Sequence, residues 1–318
     1  MPAEQSADQH QDFSDSALPD VDVVIATHNR PELLRIAMNA VLNQDYAGRI
    51  TTYLVFDQSE PDLSLAQDDS ARTVVVTTNN DRSPGLAGAR NTGILAGHGQ
   101  YVAFCDDDDE WLPDKVTLQV DALVKTGRPT AVTGIVVVYD EHESVRIPRQ
   151  SDMNHAELVR NRVMEAHPSS VMVSRQVLID QIGLVDEAIP GSYGEDFDWI
   201  LRAAEVGDFA VVEKPLVRVR WGQSLFSSRW KTIVEAIDYI IAKHPVFMSS
   251  KQGLGRLYGR QAFALAALGQ SRDALRKAGA AWRCNPREKR SYLSAAVALR
   301  LVSAPWVMNQ AHRRGHGI

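Results

Sequence analysis

The chain has 318 residues, 44% of them apolar and 23% charged, with a net charge of −6. That is a globular composition, which excludes collagen-like, low-complexity and wholly disordered chains. Two cysteines, Cys105 and Cys284, are too few for a disulfide framework or a four-cysteine zinc site. Neither a secretory signal nor an apolar run of about 18 residues is visible, so a cytoplasmic location is expected. The charge is unevenly spread. From Lys251 onward there are 13 Lys and Arg against two acids, net +11, which leaves −17 for the first 250 residues.

In chain order, residues 1–20 are polar and acidic and read as a disordered leader. An apolar strand at 21–26 enters THNRPE, where Pro31 suits the first turn of a helix. Leu33, Ile36, Ala37, Ala40 and Val41 are the predicted buried face of that helix. Strands are expected at 51–56 and 73–77, a helix at 86–96, and a strand at 101–105 that runs into four acids. A helix at 115–124, a β-branched strand at 131–139 and a polar stretch at 140–165 come next. They lead to a strand at 170–173 and a helix at 175–182. GSYGEDFDWILRAAEVG then sets a Gly-flanked acidic turn before a helix, and short strands at 209–212 and 216–219 close a first domain spanning 21–228. Residues 229–318 read as a helical appendage with one helical-hairpin pattern at 262–286. The alternation of strands and helices predicts an α/β fold, with a mainly parallel sheet covered on both faces.

Ligands of open parallel sheets sit at the carboxyl ends of the strands. Thr27-His28-Asn29-Arg30, Asp57 and Asp106-Asp107-Asp108-Asp109 all follow predicted strands, and Arg90-Asn91 lie on the helix before the last of them. The first turn holds neither GxGxxG nor GxxxxGK[ST], which argues against dinucleotide and P-loop chemistry. Taken as extended chain, the four acids direct Asp106 and Asp108 to one side, where paired carboxylates suit Mg²⁺ or Mn²⁺. The plainer alternative is a solvated acidic turn. Thr27 and Asn29 have the alternative of capping a helix, Asp57 of forming a turn, and Arg90 of pairing at the surface. Glu195 and Asp196 also favour the positive end of a helix. Trp111 and Trp199 stack on a sugar or pack in the core. Cys105 reads as a small core residue, and His98, His155, His167 and His244 lack close metal-ligand spacing.

Five segments carry a resemblance when taken in order: VVIATHNRPELL, VFDQS, GLAGARNTGILAGHGQYVAFCDDDDEWLPDKV, HPSSVMVSRQVLIDQIGLVDE and GEDFDWILRAA. Over about residues 21–225 the chain resembles the family 2 glycosyltransferases of the GT-A fold. The resemblance implies that Ala26, Thr27 and His28 contact a nucleotide base, that Asp57 accepts a hydrogen bond from it, and that Arg90 helps hold the nucleotide. It implies Asp106 and Asp107 near ribose and metal, with Asp108 as the principal metal ligand of a DXD motif. Asp196 would be the catalytic base and Glu195 would help position the acceptor.

The implied reaction is an inverting displacement on a nucleotide-diphosphate sugar, foremost a UDP-sugar, with Mg²⁺ or Mn²⁺. The acceptor would be a hydroxyl of a glycan, a lipid-linked saccharide or a small molecule, and no nucleic acid is expected as partner. Two departures stand out. His28 replaces a tyrosine common among relatives, and VRVRWGQSLFSSRW offers Trp221 and Gln223 where relatives often place a metal-binding histidine. A metal-dependent nucleotidyltransferase and a non-catalytic nucleotide- or carbohydrate-binding scaffold are the competing readings. The basic tail, with Leu293, Val297, Leu301, Val302 and Trp306, suits peripheral contact with an anionic membrane. Packing against the acidic domain is its alternative.

Overall fold

The computed structural model describes residues 18–79, 81–139, 141–221 and 229–312. Most of the expected leader, 1–17, and Gln223 lie outside them. Within the described residues the strands are β1 (Val21–Thr27), β2 (Ile50–Phe56), β3 (Arg72–Thr78), β4 (Tyr101–Phe104) and β5 (Glu110–Trp111), followed by β6 (Thr130–Tyr139), β7 (His142–Arg146), β8 (Val171–Ser174) and β9 (Ala210–Arg220). They form one sheet in the order β3-β2-β1-β4-β8-β6-β9-β5, with β7 on β6. The ladders β3-β2-β1-β4 and β6-β9 are parallel. β8 joins the two halves by pairing antiparallel to both β4 and β6. Every residue of β1 is buried, as expected for a central parallel strand covered on both faces.

Two local expectations change. The polar stretch after β6, for which no element is predicted, contains β7 and a short helix. The two strands expected at 209–219 are one, β9, which steps from Val212 opposite Thr133 to Pro215 opposite Gly134. Glu213 and Lys214 are carried out of register there. The bulge accommodates Pro215, which has no N–H for a regular ladder. Gly134 is required beside it, because a Cβ would stand 2.9 Å from the carbonyl oxygens of Arg146 and Lys214.

The helices are α1 (Pro31–Leu42), α2 (Leu86–Ala96), α3 (Lys115–Thr126), α4 (His155–Arg160) and α5 (Arg175–Val177), the last continuing as a π turn over Leu178–Ile182. Then come α6 (Glu195–Val206), α7 (Trp230–Lys243), α8 (Lys251–Ala267), α9 (Ser271–Cys284), α10 (Lys289–Ala298) and α11 (Ala304–His312). α1 buries Leu34, Ala37, Met38 and Val41, while Ile36 is 41% exposed. The apolar stripe therefore runs through a different frame from the one predicted. Both frames contain Ala37 and Val41, and the observed one brings Met38 to the sheet where the other offers only Ala40.

α1 and α3 cover one face of the sheet, joining Val23, Ile25, Leu54 and Met172 in one core. α2 and α6 cover the other, and the core on that side also takes Ile233, Ile237 and Ile240 of α7 and Leu254 and Leu257 of α8. The first helices beyond the sheet thus share the core behind α6. Full burial of a side chain such as Ile237 contributes about 1.5–3 kcal/mol. A smaller third core, with Phe263, Ala274, Val297 and Val307, binds the rest of α8 to α9, α10 and α11.

Candidate active site

The ends of β1, β2 and β4 form a rim. Thr27 Oγ1 donates to Asp107 Oδ2 at 2.8 Å. Arg30 reaches both Asp107 Oδ1 (3.1 Å) and Asp108 Oδ2 (3.0 Å). Between them Asn29 takes a left-handed φ of 55°, which Asn tolerates better than most residues. His28 Nδ1 donates to the Asp57 carbonyl at 2.6 Å, and its Nε2 accepts from Asn29 at 3.1 Å. α1 starts after Arg30 with no side-chain cap, so the helix-capping alternative for Thr27 and Asn29 does not hold. The Asp57 carboxylate accepts from Asn79 Nδ2 (2.8 Å) and from the Gly85 N–H (3.0 Å). Gly85 adopts φ 107°, and a Cβ there would meet Ser192 Oγ at 2.9 Å. Only glycine brings this amide to Asp57 without strain.

The four acids after β4 are not extended. The Asp109 N–H donates to the Asp106 carbonyl at 3.1 Å, closing a β-turn. A turn brings its first and fourth residues together, so Asp106 converges with Asp109 rather than with Asp108. His167 completes the group: one ligand atom from each of Asp106, Asp109 and His167 lies within 4.8 Å of the others. Ser169 ties the group down, its Oγ accepting from the Asp106 N–H at 2.9 Å and donating to Asp109. Asp108 instead faces Arg30. Burial, with the charges of Asp106 and Asp108, pushes the Asp109 carboxyl well above the usual range. Burial also raises Asp107 and Asp108, against the opposing pull of Arg30. It lowers His167, which keeps the imidazole available as a neutral ligand.

α2 and α6 complete the site. Arg90 is 5% exposed in its side chain and bridges Asp106 Oδ1, at 2.6 Å, and Glu195, so it is no surface pairing residue. Glu195 and Asp196 open α6 behind Gly194, which has φ 82°. Their environments push them apart. Burial, aided by the neighbouring Asp196, raises Glu195 against the pull of Arg90. Burial would raise Asp196 too, but Arg162 and Arg90 and the Phe197 N–H together hold it below the usual range. Arg162 Nη2 stands 2.7 Å from Asp196 Oδ2. Adjacent carboxyls with divergent proton affinities are a recurring arrangement for acid–base work. One turn along, Asp198 accepts from His244 Nε2 (2.8 Å) and Arg202 Nε (3.0 Å) and pairs with Lys243 (2.8 Å). That network fixes α6 to the end of α7.

Both aromatic candidates are buried, and Trp199 also lines a small cavity with Arg90, Glu195 and Asp196. Trp111 is 2% exposed and lies under Lys115 Nζ, 3.6 Å from the ring centre. Trp199 meets Phe104 edge-on at 5.9 Å and donates to the Gly183 carbonyl. Cys105 is buried with its thiol pushed well up by burial and adjacent acids, which suits a core residue. Sequence reasoning missed Arg162, Ser169 and the role of His167. HPSS held the one available signal, a histidine and two hydroxyls confined to a single short turn before β8.

A family model described as Glycosyl transferase family 2 matches residues 22–180, half of the chain. Escherichia coli WfgD, named as a UDP-Glc:α-D-GlcNAc-diphosphoundecaprenol β-1,3-glucosyltransferase, is 29% identical over 108 residues, 33% of this chain and 41% of that one. The succinoglycan biosynthesis protein ExoO of Rhizobium meliloti is 28% identical over 139 residues, 43% of this chain and 39% of that one. The chain thus spans about two fifths of the length of these curated relatives. The structure of S. aureus TarS 1-349 in complex with UDP superposes with a TM-score of 0.58 at 14% identity, covering 93% of this chain and 92% of that one. At that identity the likeness concerns the fold, a GT-A-like sheet followed by C-terminal helices. Motif order, sheet topology and the match over half its length lead to one assignment: the chain belongs to glycosyl transferase family 2.

Proposed function

We propose that the chain transfers a sugar, with inversion, from a nucleotide-diphosphate sugar to an acceptor hydroxyl in glycan or polysaccharide biosynthesis. The observation that carries the reading is Asp196, a carboxylate kept charged by Arg162 and Arg90 beside a rim built from β1, β2 and β4. A UDP-sugar is the favoured donor. TarS has been solved with UDP and with UDP-GlcNAc, and WfgD is named for UDP-Glc. Ala26, Thr27, His28 and Asp57 would face the base, with Arg90, Asp106 and Asp107 toward ribose and diphosphate. Asp196 would take the proton of the attacking hydroxyl, a role worth about 10²–10⁴-fold. Glu195, fixed by Arg90, would orient the acceptor.

A divalent cation, Mg²⁺ or Mn²⁺, fits the donor set of Asp106, Asp109 and His167. Asp109, raised by burial and by its acidic neighbours, is the kind of carboxyl that a bound cation would hold ionised. When bound, the cation supplies Lewis-acid neutralisation of the departing diphosphate. Lipid-linked saccharides are the acceptors that the WfgD name favours. Among the described residues no helix is long and apolar enough to cross a membrane, and peripheral contact at the cytoplasmic face is the proposed location. Incubation with UDP-glucose, UDP-N-acetylglucosamine and other nucleotide sugars, with Mn²⁺ or with EDTA, tests the reading. UDP release supports it, release of pyrophosphate or a monophosphate identifies a nucleotidyltransferase, and binding without any release identifies a scaffold.

A further inference from the structure

Arg162, Arg256, Arg260 and Arg290 gather where α8 lies against the first turn of α6, close enough that Arg256 feels the charges of Arg162, Arg290 and Arg260, and Arg260 those of Arg162 and Arg290. Arg256 lies over the Phe197 ring at 5.1 Å and Arg260 over the Tyr193 ring at 5.2 Å. Two carboxylates answer the four charges. Asp196 takes Arg162 and Glu288 takes Arg290, at 2.7 and 2.9 Å. Among the described residues no carboxylate pairs with Arg256 or Arg260. Nε and Nη2 of Arg256 and Nε of Arg290 are buried with no hydrogen-bond partner. Burial and the adjacent arginines lower Arg256 to about 9.

A cluster that served only the fold would pair these groups, because unsatisfied buried guanidinium nitrogens are costly. What the cluster lacks is an anion with several acceptor oxygens, and planar guanidinium forks match phosphate geometry two bonds at a time. Both α8 arginines remain partly open to solvent. Arg162 joins the cluster directly to Asp196.

We propose that Arg256 and Arg260, with Arg162, form a subsite for a phosphate or diphosphate group carried by the acceptor, beside the hydroxyl that Asp196 deprotonates. The acceptor assignment rests on the glycosyltransferase reading above, whereas the anion site rests on the arginines alone. Such a subsite holds the acceptor by its charge and presents its sugar hydroxyl to the base.

The test titrates inorganic pyrophosphate and glucose 1-phosphate into the full chain with UDP saturating the donor site, followed by calorimetry and thermal shift. Arg256→Met with Arg260→Met removes the charges while keeping apolar stems. Phosphate binding should weaken roughly tenfold to a hundredfold, with UDP affinity retained. The melting temperature without phosphate should not fall, since two unpaired charges are gone. Arg256→Lys with Arg260→Lys keeps the charge without the fork and should retain part of the binding. Equal pyrophosphate binding by wild type and the methionine variant, or none by wild type, overturns the proposal. Co-sedimentation with phosphatidylglycerol vesicles separates acceptor phosphate from lipid headgroup. It should be the same for wild type and the methionine variant, and arginine-dependent vesicle binding with inert pyrophosphate overturns the acceptor assignment. If UDP binds neither protein, the UDP-sugar reading falls, and the pyrophosphate comparison without UDP still decides the anion site.

Discussion

Arg162 reaches across 34 residues of sequence to place Nη2 at 2.7 Å from Asp196 Oδ2. The contact keeps the carboxylate charged in a buried setting that would otherwise favour its neutral form. Arg162→Ala should therefore raise the proton affinity of Asp196. The acidic limb of the pH–rate profile then moves to higher pH, and Arg162→Lys restores part of the shift. Asp196→Asn should lower turnover by about two to four orders of magnitude with UDP affinity nearly unchanged. An acidic limb that stays put in Arg162→Ala would remove Asp196 from the role of base.

The resemblance and the geometry share Asp106 as a partner for a cation and differ in the others. Asp108 leads in the first, while Asp106, Asp109 and His167 converge in the second. His167→Ala should weaken Mn²⁺ binding about tenfold or more, on the scale of changes around metal ligands, and shift the Mn²⁺ dependence of UDP release alongside it. Titration by electron paramagnetic resonance reads the affinity directly. If Asp108→Ala alone abolishes Mn²⁺ binding and His167→Ala leaves it intact, the turn cluster is not the metal site.

The rim was legible because its signals are local. A continuous apolar run ends at THNR, another at Asp57 and a third at the four acids, and strand ends in a parallel ladder share an edge. The shape of the acidic segment was not legible. Asp is itself a turn former, so four in a row permit an extended chain or a turn, and the bond from Asp109 to the Asp106 carbonyl decides for the turn. His167 and Arg162 escaped for another reason. They reach the site only because β8 inserts antiparallel between β4 and β6, a pairing between distant segments that no periodicity encodes. The phase of α1 was lost to degeneracy, since residues 33–41 satisfy helical spacing in two frames.

Asp198 predicts how the fold responds to acid. Burial would raise its carboxyl, but His244, Lys243 and Arg202 hold it at about 2, below the ordinary 3.8. A carboxyl lowered in the folded state contributes stability above its unfolded value and loses it as pH falls through the folded one. The contribution is about 2 kcal/mol at 1.36 kcal/mol per unit, withdrawn between roughly pH 4 and pH 2. Asp198→Asn should destabilise at neutral pH by about 2–4 kcal/mol, because Lys243 and His244 lose their buried partner. Its stability should also fall less steeply in acid than that of the wild type. Urea melts at pH 7 and pH 3 measure both effects, and an equal loss at the two pH values would contradict the linkage.

The last two helices bear on where the chain works. Val297 is buried in the third core, so it belongs to packing rather than to an outer face. Leu301 and Trp306, 73% and 54% exposed, stay outside with Leu293 and Leu299, on the part of the chain that carries the positive excess. Exposed Trp and Leu beside Lys and Arg suit the interface of an anionic bilayer, where each basic side chain near the surface contributes about 1 kcal/mol. Vesicles containing phosphatidylglycerol should therefore sediment the protein at low salt and release it at high salt, since attraction at the surface is screened within about 8 Å at physiological ionic strength. Leu301→Ser with Trp306→Ser should cut the low-salt binding severalfold and leave the melting temperature unchanged, because neither side chain contributes to a core. Undiminished binding in that variant would move the contact to another face. No binding of the wild type at low salt would leave the basic helices with the role of packing against the acidic sheet domain.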